Sequence, residues 1–514
     1  MKSYSPTLCL LLAMALVPGM ALAQSVSDEA VTNNIAVAIT PDSATLSSSE
    51  AVQFTALVKH TANVGVTWSA TSGAISSNGL YHSPKVDRET VVTVRATSVA
   101  DRSKFDQISL VVKPREAAPV ADAVTTPSTS TTIKQSFFGA DFNGYGTWPP
   151  TDGQKQVATL GSIRLWDDNV KWAQIETSAG VYDWKKLDTW MSKAQAQGVD
   201  VLYTIGSTPK WAGTIPKGSP CGAQGEYSCS APTDVKTDGT GTDKHFSDFM
   251  TALVTRYKGQ IAYYELWNEA DCSCFWAGTT AQLVRMGSDA AGIIRSIDKN
   301  AKILSPSAHG PTMKTFFDDY VAAGGAANFD IVNAHLRGTT KTNKTPESFL
   351  DMYADVTAET AKRNLGSLPV WDDEHGIRTG EMTDPDLLEG FVARSVILRA
   401  GVGLQRQYHY TWDQKDPYGL QGNDSGTGWD TVAGWLIGHT ISPCTEKGTV
   451  YTCSLDNGLI VWDTSKTCSK GTCGTSKYTY ASTYKYYTDL LGKKTSLSGT
   501  TVNIGYKPIF LTSK

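Results

Sequence analysis

The chain reads as an α/β protein: a (β/α)8 barrel with a small C-terminal β-layer, preceded by an all-β sandwich. Three observations predict this. Between residues 34 and 113, short alternating apolar segments recur, separated by Gly, Asn and Ser clusters, which is the pattern of a sandwich. From Phe137 onward, strand-like apolar runs alternate with stretches whose apolar residues recur at helical spacing, and eight such runs fall within about 300 residues, the size of a barrel. At 514 residues the whole chain is too long for one ordinary domain.

Residues 1–23 carry the marks of an export signal. Lys2 supplies a positive start, Leu8 to Val17 is an apolar run too short to span a bilayer, and Ala21-Leu-Ala23 is a small-residue cleavage box before Gln24. No later stretch reaches the length of a transmembrane helix, so a secreted or periplasmic location, without a membrane span, is expected.

The expected sandwich, 34–113, has strands at Ile35–Ile39, Val52–Leu57, Gly65–Trp68, Val91–Ala96 and Ile108–Val112. The run Val66-Thr-Trp68, followed by Gly73, Ile75, Asn78-Gly-Leu-Tyr81 and Pro84, resembles the bacterial immunoglobulin-like group 2 domain. It contains no catalytic cluster, so a spacer or adhesion role is expected. Residues 114–136 are rich in Pro, Ala, Ser and Thr and read as a linker.

The barrel is expected over 137–430. Its strands are read at Phe137–Phe142, Ser162–Trp166, Val199–Ile205, Ile261–Ala270, Lys302–Ser305, Asp330–His335, Leu368–Trp371 and Leu404–His409. Between them, Trp184, Leu187, Met191 and Ala194 share one helical face, with Asp183 as cap and Gly198 as stop. Phe246, Met250, Leu253 and Tyr257 form another stripe, closed by Gly259. A doubly wound open sheet is the alternative, but no Gly-rich phosphate loop follows the first strand. Residues 431–514 read as a β-rich extension packed on the barrel, with hairpin pieces at Tyr451–Asp463 and Thr501–Leu511.

A net charge of −4 argues against a nucleic-acid partner. With 45 Gly and 14 Trp the chain has many tight loops and broad aromatic surfaces, which suits a carbohydrate ligand. Beyond Cys9 in the signal, eight cysteines remain: Cys221, Cys229, Cys272, Cys274, Cys444, Cys453, Cys468 and Cys473. An even number in an exported chain reads as disulfides. Short separations favour Cys444 with Cys453 and Cys468 with Cys473. Cys221 and Cys229 pair with each other or with Cys272 and Cys274; a bridge of the second kind would stiffen the rim of the site. A zinc site is disfavoured by the single residue between Cys272 and Cys274 and by the absence of a His pair at ligand spacing. No metal or cofactor is expected, and the chain is expected to be a monomer.

Barrel active sites lie at the C-terminal ends of the strands. The polar residues there are Arg164, Asn268, Glu269, His335, Glu374 and the Tyr408-His-Tyr410 group with Trp412. Glu269 closes an apolar run, where partial burial can raise a carboxyl pKa toward that of a general acid. Glycoside hydrolysis needs two carboxyl groups across one bond, and Glu269 and Glu374 end the fourth and seventh strands. Asp372 and Asp373 compete with Glu374 for the second role, and Glu265 points to the same strand face as Glu269. Trp211, Phe275 and Trp276 are candidate sugar-packing rings.

Trp267-Asn-Glu269 together with Trp371-Asp-Asp-Glu374 resembles the clan of retaining (β/α)8 glycoside hydrolases with two catalytic glutamates. Arg164 before Asp167, the Pro369-Val-Trp371 approach and the closing Pro508-Ile-Phe-Leu511 make the catalytic part, about residues 137–511, most similar to glycoside hydrolase family 39. The resemblance implies a retaining enzyme acting on a β-linked poly- or oligosaccharide without a cofactor. It implies Glu269 as acid/base, Glu374 as nucleophile, Asn268 on the sugar 2-hydroxyl, Arg164 holding Glu374 ionised, and His335 lining the site. Trp412 would be the floor under the sugar. Relatives carry a tyrosine two residues after that histidine; Arg337 stands there in this chain, so the phenol either comes from elsewhere, with Tyr410 as the candidate, or is absent. The alternative function is a non-catalytic polysaccharide-binding or adhesion protein on the same scaffold.

Overall fold

The coordinates are a computed structural model that describes residues 35–47, 51–76, 79–84, 86, 88–114, 132–143, 148–149, 159–214, 221, 227–337, 345–377, 381–413, 419–469 and 471–514. The expected signal segment, most of the expected linker and Asn78 lie outside the described residues.

The barrel strands are β1 (Phe138–Asp141), β2 (Ser162–Leu165), β3 (Asp200–Thr204), β4 (Tyr263–Glu265), β5 (Lys302–Leu304), β6 (Val332–Asn333), β7 (Val370–His375) and β8 (Gln407–His409). They pair in parallel in the order β5-β4-β3-β2-β1-β8-β7-β6. The remaining seam closes through backbone bonds: Ser305 N–H donates to Ile331 O at 2.9 Å and Ile331 N–H to Ile303 O at 3.1 Å. The eight expected strands are therefore present and form a nearly closed barrel.

Long helices follow: α1 (Lys185–Gln197), α2 (Lys244–Arg256), α3 (Thr280–Ile297), α4 (Gly310–Ala322), α5 (Ser348–Lys362), α6 (Pro385–Gly401) and α7 (Asp424–Leu436). Leu187, Met191 and Ala194 give α1 its buried face, and Gly198 ends it at φ 65°. Its N-cap is Trp184 rather than Asp183. Helix α2 stops at Tyr257, two residues before the expected Gly259. In α3, Thr279 and Gln282 form a capping box.

From Leu388 on, helix α6 is buried on all sides, including Glu389, Arg394 and Arg399, because it lies between the barrel and the C-terminal sheet. That sheet has six antiparallel strands, with Val450–Leu455, Gly458–Asp463 and Ile509–Thr512 at its centre. Strand alternation gives it two buried faces. Ile460 and Phe510 join the barrel core, whereas Val461, Ile509 and Leu511 build a second small core with Val502 and Ile504. The expected barrel boundary at 430 falls inside α7, which packs on α6. The turn-rich sequence after Trp412 conceals this helix, whose N-cap is Asn423.

The N-terminal unit is all β, with its own core. A four-stranded sheet is centred on Thr90–Ser98 and Phe105–Lys113, beside a three-stranded and a two-stranded sheet. Val92, Val94 and Ala96 alternate inward from one strand and Ile108, Leu110 and Val112 from the next, closing on Phe54 and Tyr81.

The disulfides are Cys221–Cys229, Cys272–Cys274, Cys444–Cys453 and Cys468–Cys473. The rim bridge between the first two loops is thus corrected. The loops touch, with Ala277 N–H donating to Cys229 O at 2.7 Å, but each closes on itself.

Candidate active site

Beyond β4 the chain leaves the sheet at Leu266 and is pinned to the segment after β5. Ser307 N–H donates to Trp267 O at 2.9 Å, Ala270 N–H to Ser307 O at 3.0 Å, and Glu269 N–H to Ser307 Oγ at 2.9 Å. Glu269 itself sits at φ 40°, a left-handed backbone that costs a non-glycine residue ~1–3 kcal/mol and persists only where its surroundings hold it. These three bonds do so, and they aim its side chain across the barrel mouth.

On β7 a register shift does the aiming. Asp372 pairs with Gln407 and His375 with His409, so three steps on β7 match two on β8. Strict alternation would send Asp373 and Glu374 to opposite faces; the extra residue brings both toward Arg164. Asp372 points away. Its Oδ2 accepts from Arg399 Nε at 2.7 Å and its Oδ1 from Leu336 N–H at 2.9 Å, which removes it as a competitor for Glu374.

Arg164, fully buried on β2, ties these carboxyl groups together. Nη1 reaches Asp141 Oδ1 at 2.9 Å and Glu374 Oε2 at 3.0 Å. Nη2 reaches Glu265 Oε2 at 2.8 Å and Asn268 Oδ1 at 2.6 Å, and Nε lies 3.0 Å from Asp373 Oδ2. One guanidinium cannot neutralise four buried acids. Burial pushes Glu265 up to about 8 and Asp141 well above the usual carboxylate range, against the pull of Arg164. Burial also works against the charge on Asp373, but Arg164 and His335 outweigh it and hold Asp373 below that range. Asn268 spends its Oδ1 on Arg164, which leaves Nδ2 without a hydrogen bond among the described residues.

Glu374 is held at both oxygens, Oε2 by Arg164 and Oε1 by Nη2 of Arg337. Arg337, two residues after His335, is therefore in direct contact with Glu374. Tyr410 does not supply the phenol: its hydroxyl lies 2.7 Å from Asp167 Oδ2 and 2.9 Å from Asn143 Oδ1. Its ring lies 5.5 Å from the Arg337 guanidinium, so it backs that arginine instead.

Glu269 Oε1 meets two imidazoles, His335 Nδ1 at 2.9 Å and His309 Nε2 at 2.9 Å. Burial works to raise this carboxyl, but the hydrogen bonds from His309 and His335 outweigh it and hold it below its ordinary range. The expectation that burial would raise it is corrected on this point. Glu269 Oε2 has no partner among the described residues. A carboxylate oxygen of Glu269, one of Glu374 and a ring nitrogen of His335 lie within 4.8 Å of one another. The two glutamates thus face each other with 6% and 4% of their surface exposed.

That spacing, and that of Glu265, His335 and Asp373, would suit a metal ion. Asp373 and Glu374 already face Arg164 at 3.0 Å, however, so a cation would have to compete with a guanidinium.

The expected sugar-facing indoles are placed otherwise. Trp412 is fully buried, with its ring 5.6 Å from Phe142, and Trp276 is 6% exposed and packs edge-on against Trp267. Both complete apolar packing. Half-buried Phe275 and Trp211 keep part of their surface outward.

The sequence gives no sign of Asp141 or Asp271 as site residues, assigns Arg337 no contact, and by residue type alone leaves His309 as a structural histidine. The signal for His309 was its position four residues past the β5 run, on the same rim as the other strand ends.

No protein-family model and no curated protein matches the chain. Among solved structures it is similar to a monomeric β-xylosidase from Caulobacter crescentus CB15, at 15% identity and TM-score 0.51 over 74% of this chain and 97% of that one. It is also similar to a GH39 β-xylosidase from Caulobacter crescentus, at 16% identity and TM-score 0.50 over 75% and 97%. At such identities the likeness establishes the barrel fold alone.

Proposed function

We propose that the chain is an exported retaining glycoside hydrolase, with Glu374 as nucleophile and Glu269 as acid/base, acting on a β-linked poly- or oligosaccharide. The observation that carries this reading is the facing pair of glutamates, with oxygens within 4.8 Å, at the C-terminal mouth of a barrel. Retaining enzymes keep their carboxyl groups about 5–5.5 Å apart, whereas inverting ones leave about 6.5–9.5 Å for a water. In the first step a Glu374 oxygen bonds to C1 and the C1–O bond breaks. Its electron pair goes to the leaving oxygen, which takes a proton from Glu269. In the second step water bonds to C1 and gives a proton to Glu269, and the C1–Glu374 bond breaks. Asn268 Nδ2 is the donor suited to the 2-hydroxyl.

The motif resemblance supports a place near glycoside hydrolase family 39, and the neighbours' names make aryl β-xylosides the first substrates to try. Export is supported by the four disulfides and the N-terminal signal pattern. The N-terminal β-unit is assigned a spacer or adhesion role, immunoglobulin-like in kind, joined to the barrel by the 114–136 linker.

The test is incubation of the protein with aryl β-glycosides and β-glycans, with proton NMR of the first-formed anomer. A 2-deoxy-2-fluoro glycoside should label Glu374, as read by peptide mass spectrometry. Glu269→Gln and Glu374→Gln should each abolish turnover. Glycan binding without turnover by the unmodified protein would establish a binding protein instead.

A further inference from the structure

The proposed reaction needs a proton on Glu269, yet two imidazoles hold that carboxyl in its ionised form. We infer that His309, oriented by Asp271, is a positioning residue that holds the acid/base proton against Glu269. The inference rests on the reading of Glu269 as acid/base and adds to it a residue outside the two-glutamate pair.

The geometry assigns the tautomer. Asp271 accepts from the His309 backbone N–H at 3.3 Å and from Thr312 Oγ1, and its Oδ2 lies 3.0 Å from His309 Nδ1. An ionised carboxylate only accepts, so Nδ1 carries a hydrogen. That leaves Nε2 as the variable atom, and it lies 2.9 Å from Glu269 Oε1. Two lone pairs do not face each other at that distance, so one proton lies between them, on Nε2 or on the carboxyl. The three groups form a chain, Asp271 to His309 to Glu269, built from the ends of β4 and β5.

Exposure gives this chain a direction. The side chain of His309 is 28% exposed, that of Glu269 9% and that of His335 0%. His309 is therefore the member in touch with water, and the other imidazole is sealed. The titratable groups that face His309 are Asp271 and Glu269 beyond β4, with the His335 ring 6.5 Å away beyond β6. The hydrogen bonds to Asp271 and Glu269 outweigh desolvation and raise His309 to about 9, so the free protein stores the proton on the imidazole at neutral pH.

The proton balance is closed. The Nε2–H bond breaks and a carboxyl O–H forms. That O–H breaks as the leaving oxygen takes the proton, while the C1–O electron pair goes to the same oxygen. In the second step water's proton bonds to the Glu269 carboxylate and returns to Nε2.

The test uses the full chain with His309→Gln and Asp271→Asn. Each is assayed on a pair of aryl glycosides with a good and a poor leaving group, across pH. A good leaving group needs little protonation. His309→Gln should therefore lose about 10²-fold or more on the poor leaving group and much less on the good one, on the scale of a general-acid contribution. Its basic limb should move to lower pH, and Asp271→Asn should do the same to a smaller degree. Equal loss on both substrates with an unmoved limb would mean a structural role and overturn the inference while leaving the hydrolase reading intact. An independent readout is NMR titration of ring-labelled histidine. The His309 signal should titrate well above the ordinary ~6.5 and shift down in Asp271→Asn and in Glu269→Gln. A ring that titrates normally in all three proteins overturns the inference even if no glycoside is turned over, an outcome that separately sinks the hydrolase reading.

Discussion

Arg337, beyond β6, donates to Glu374 at Oε1, the oxygen opposite the one that Arg164 holds at 3.0 Å. The carboxylate is thus clamped between two cations and has little freedom to rotate. A hydrogen bond to a charged group contributes about 1.5–3 kcal/mol, or roughly 10–100-fold in rate. Arg337→Met should lower kcat/KM by that amount, and Arg337→Lys, which keeps the charge but not the planar fork, should lie between. Steady-state kinetics on an activated aryl glycoside checks this. A full-rate Arg337→Met variant would show that Arg164 alone positions Glu374.

The buried charges make stability depend on pH. Burial raises Glu265 to about 8 in the fold, and hydrogen bonds raise His309 to about 9. In both cases the folded state binds more protons than the unfolded chain, so stability falls as pH rises. For Glu265 the window runs from its ordinary value near 4.5 up to about 8. For His309 it runs from 6.5 to about 9. The melting temperature should therefore decline between pH 5 and 9. Glu265→Gln should flatten the lower part of the curve and His309→Gln the upper part. Differential scanning calorimetry at fixed ionic strength is the measurement. A melting temperature that rises over this range in the unmodified protein would contradict the assignment.

Periodicity made the barrel legible, because strands and helices bury different residue spacings and neither pattern needs long-range information. The strand-end rule also reached Arg164, Asn268, Glu269, His335 and Glu374, which the structure brings to one cluster. What it missed depends on contacts between distant segments. No local pattern announces the extra residue on β7 that turns Glu374 inward, or the left-handed backbone at Glu269. Trp412 and Trp276 read as sugar platforms by residue type, yet packing against Phe142 and Trp267 encloses them. The pairing of Cys272 with Cys274 places a loop closure inside three residues, where a longer-range bridge looked the better stiffener.

Helix α6 and the C-terminal sheet meet at Glu347, which precedes α5. Arg394 Nε donates to its Oε1 at 2.8 Å, Trp462 Nε1 donates to the same oxygen at 2.9 Å, and Tyr506 stacks 4.4 Å from the Arg394 guanidinium. Arg394 is fully buried, and Glu347 is the one carboxylate paired with it among the described residues. Removing one partner of a buried pair costs about 3–5 kcal/mol, because the other charge is left without compensation. Glu347→Ala should therefore destabilise the protein by that order, whereas the double change Glu347→Ala with Arg394→Met should recover part of the loss. The damage should be local first. Residues 445–514 hold to the barrel through this contact, through Lys507 with Asp386 and Glu389, and through apolar packing of Ile460 and Phe510. Limited proteolysis of Glu347→Ala should thus release fragments cut in 445–514 before the barrel is cleaved. Simultaneous cleavage throughout would mean that the sheet and the barrel unfold as one unit.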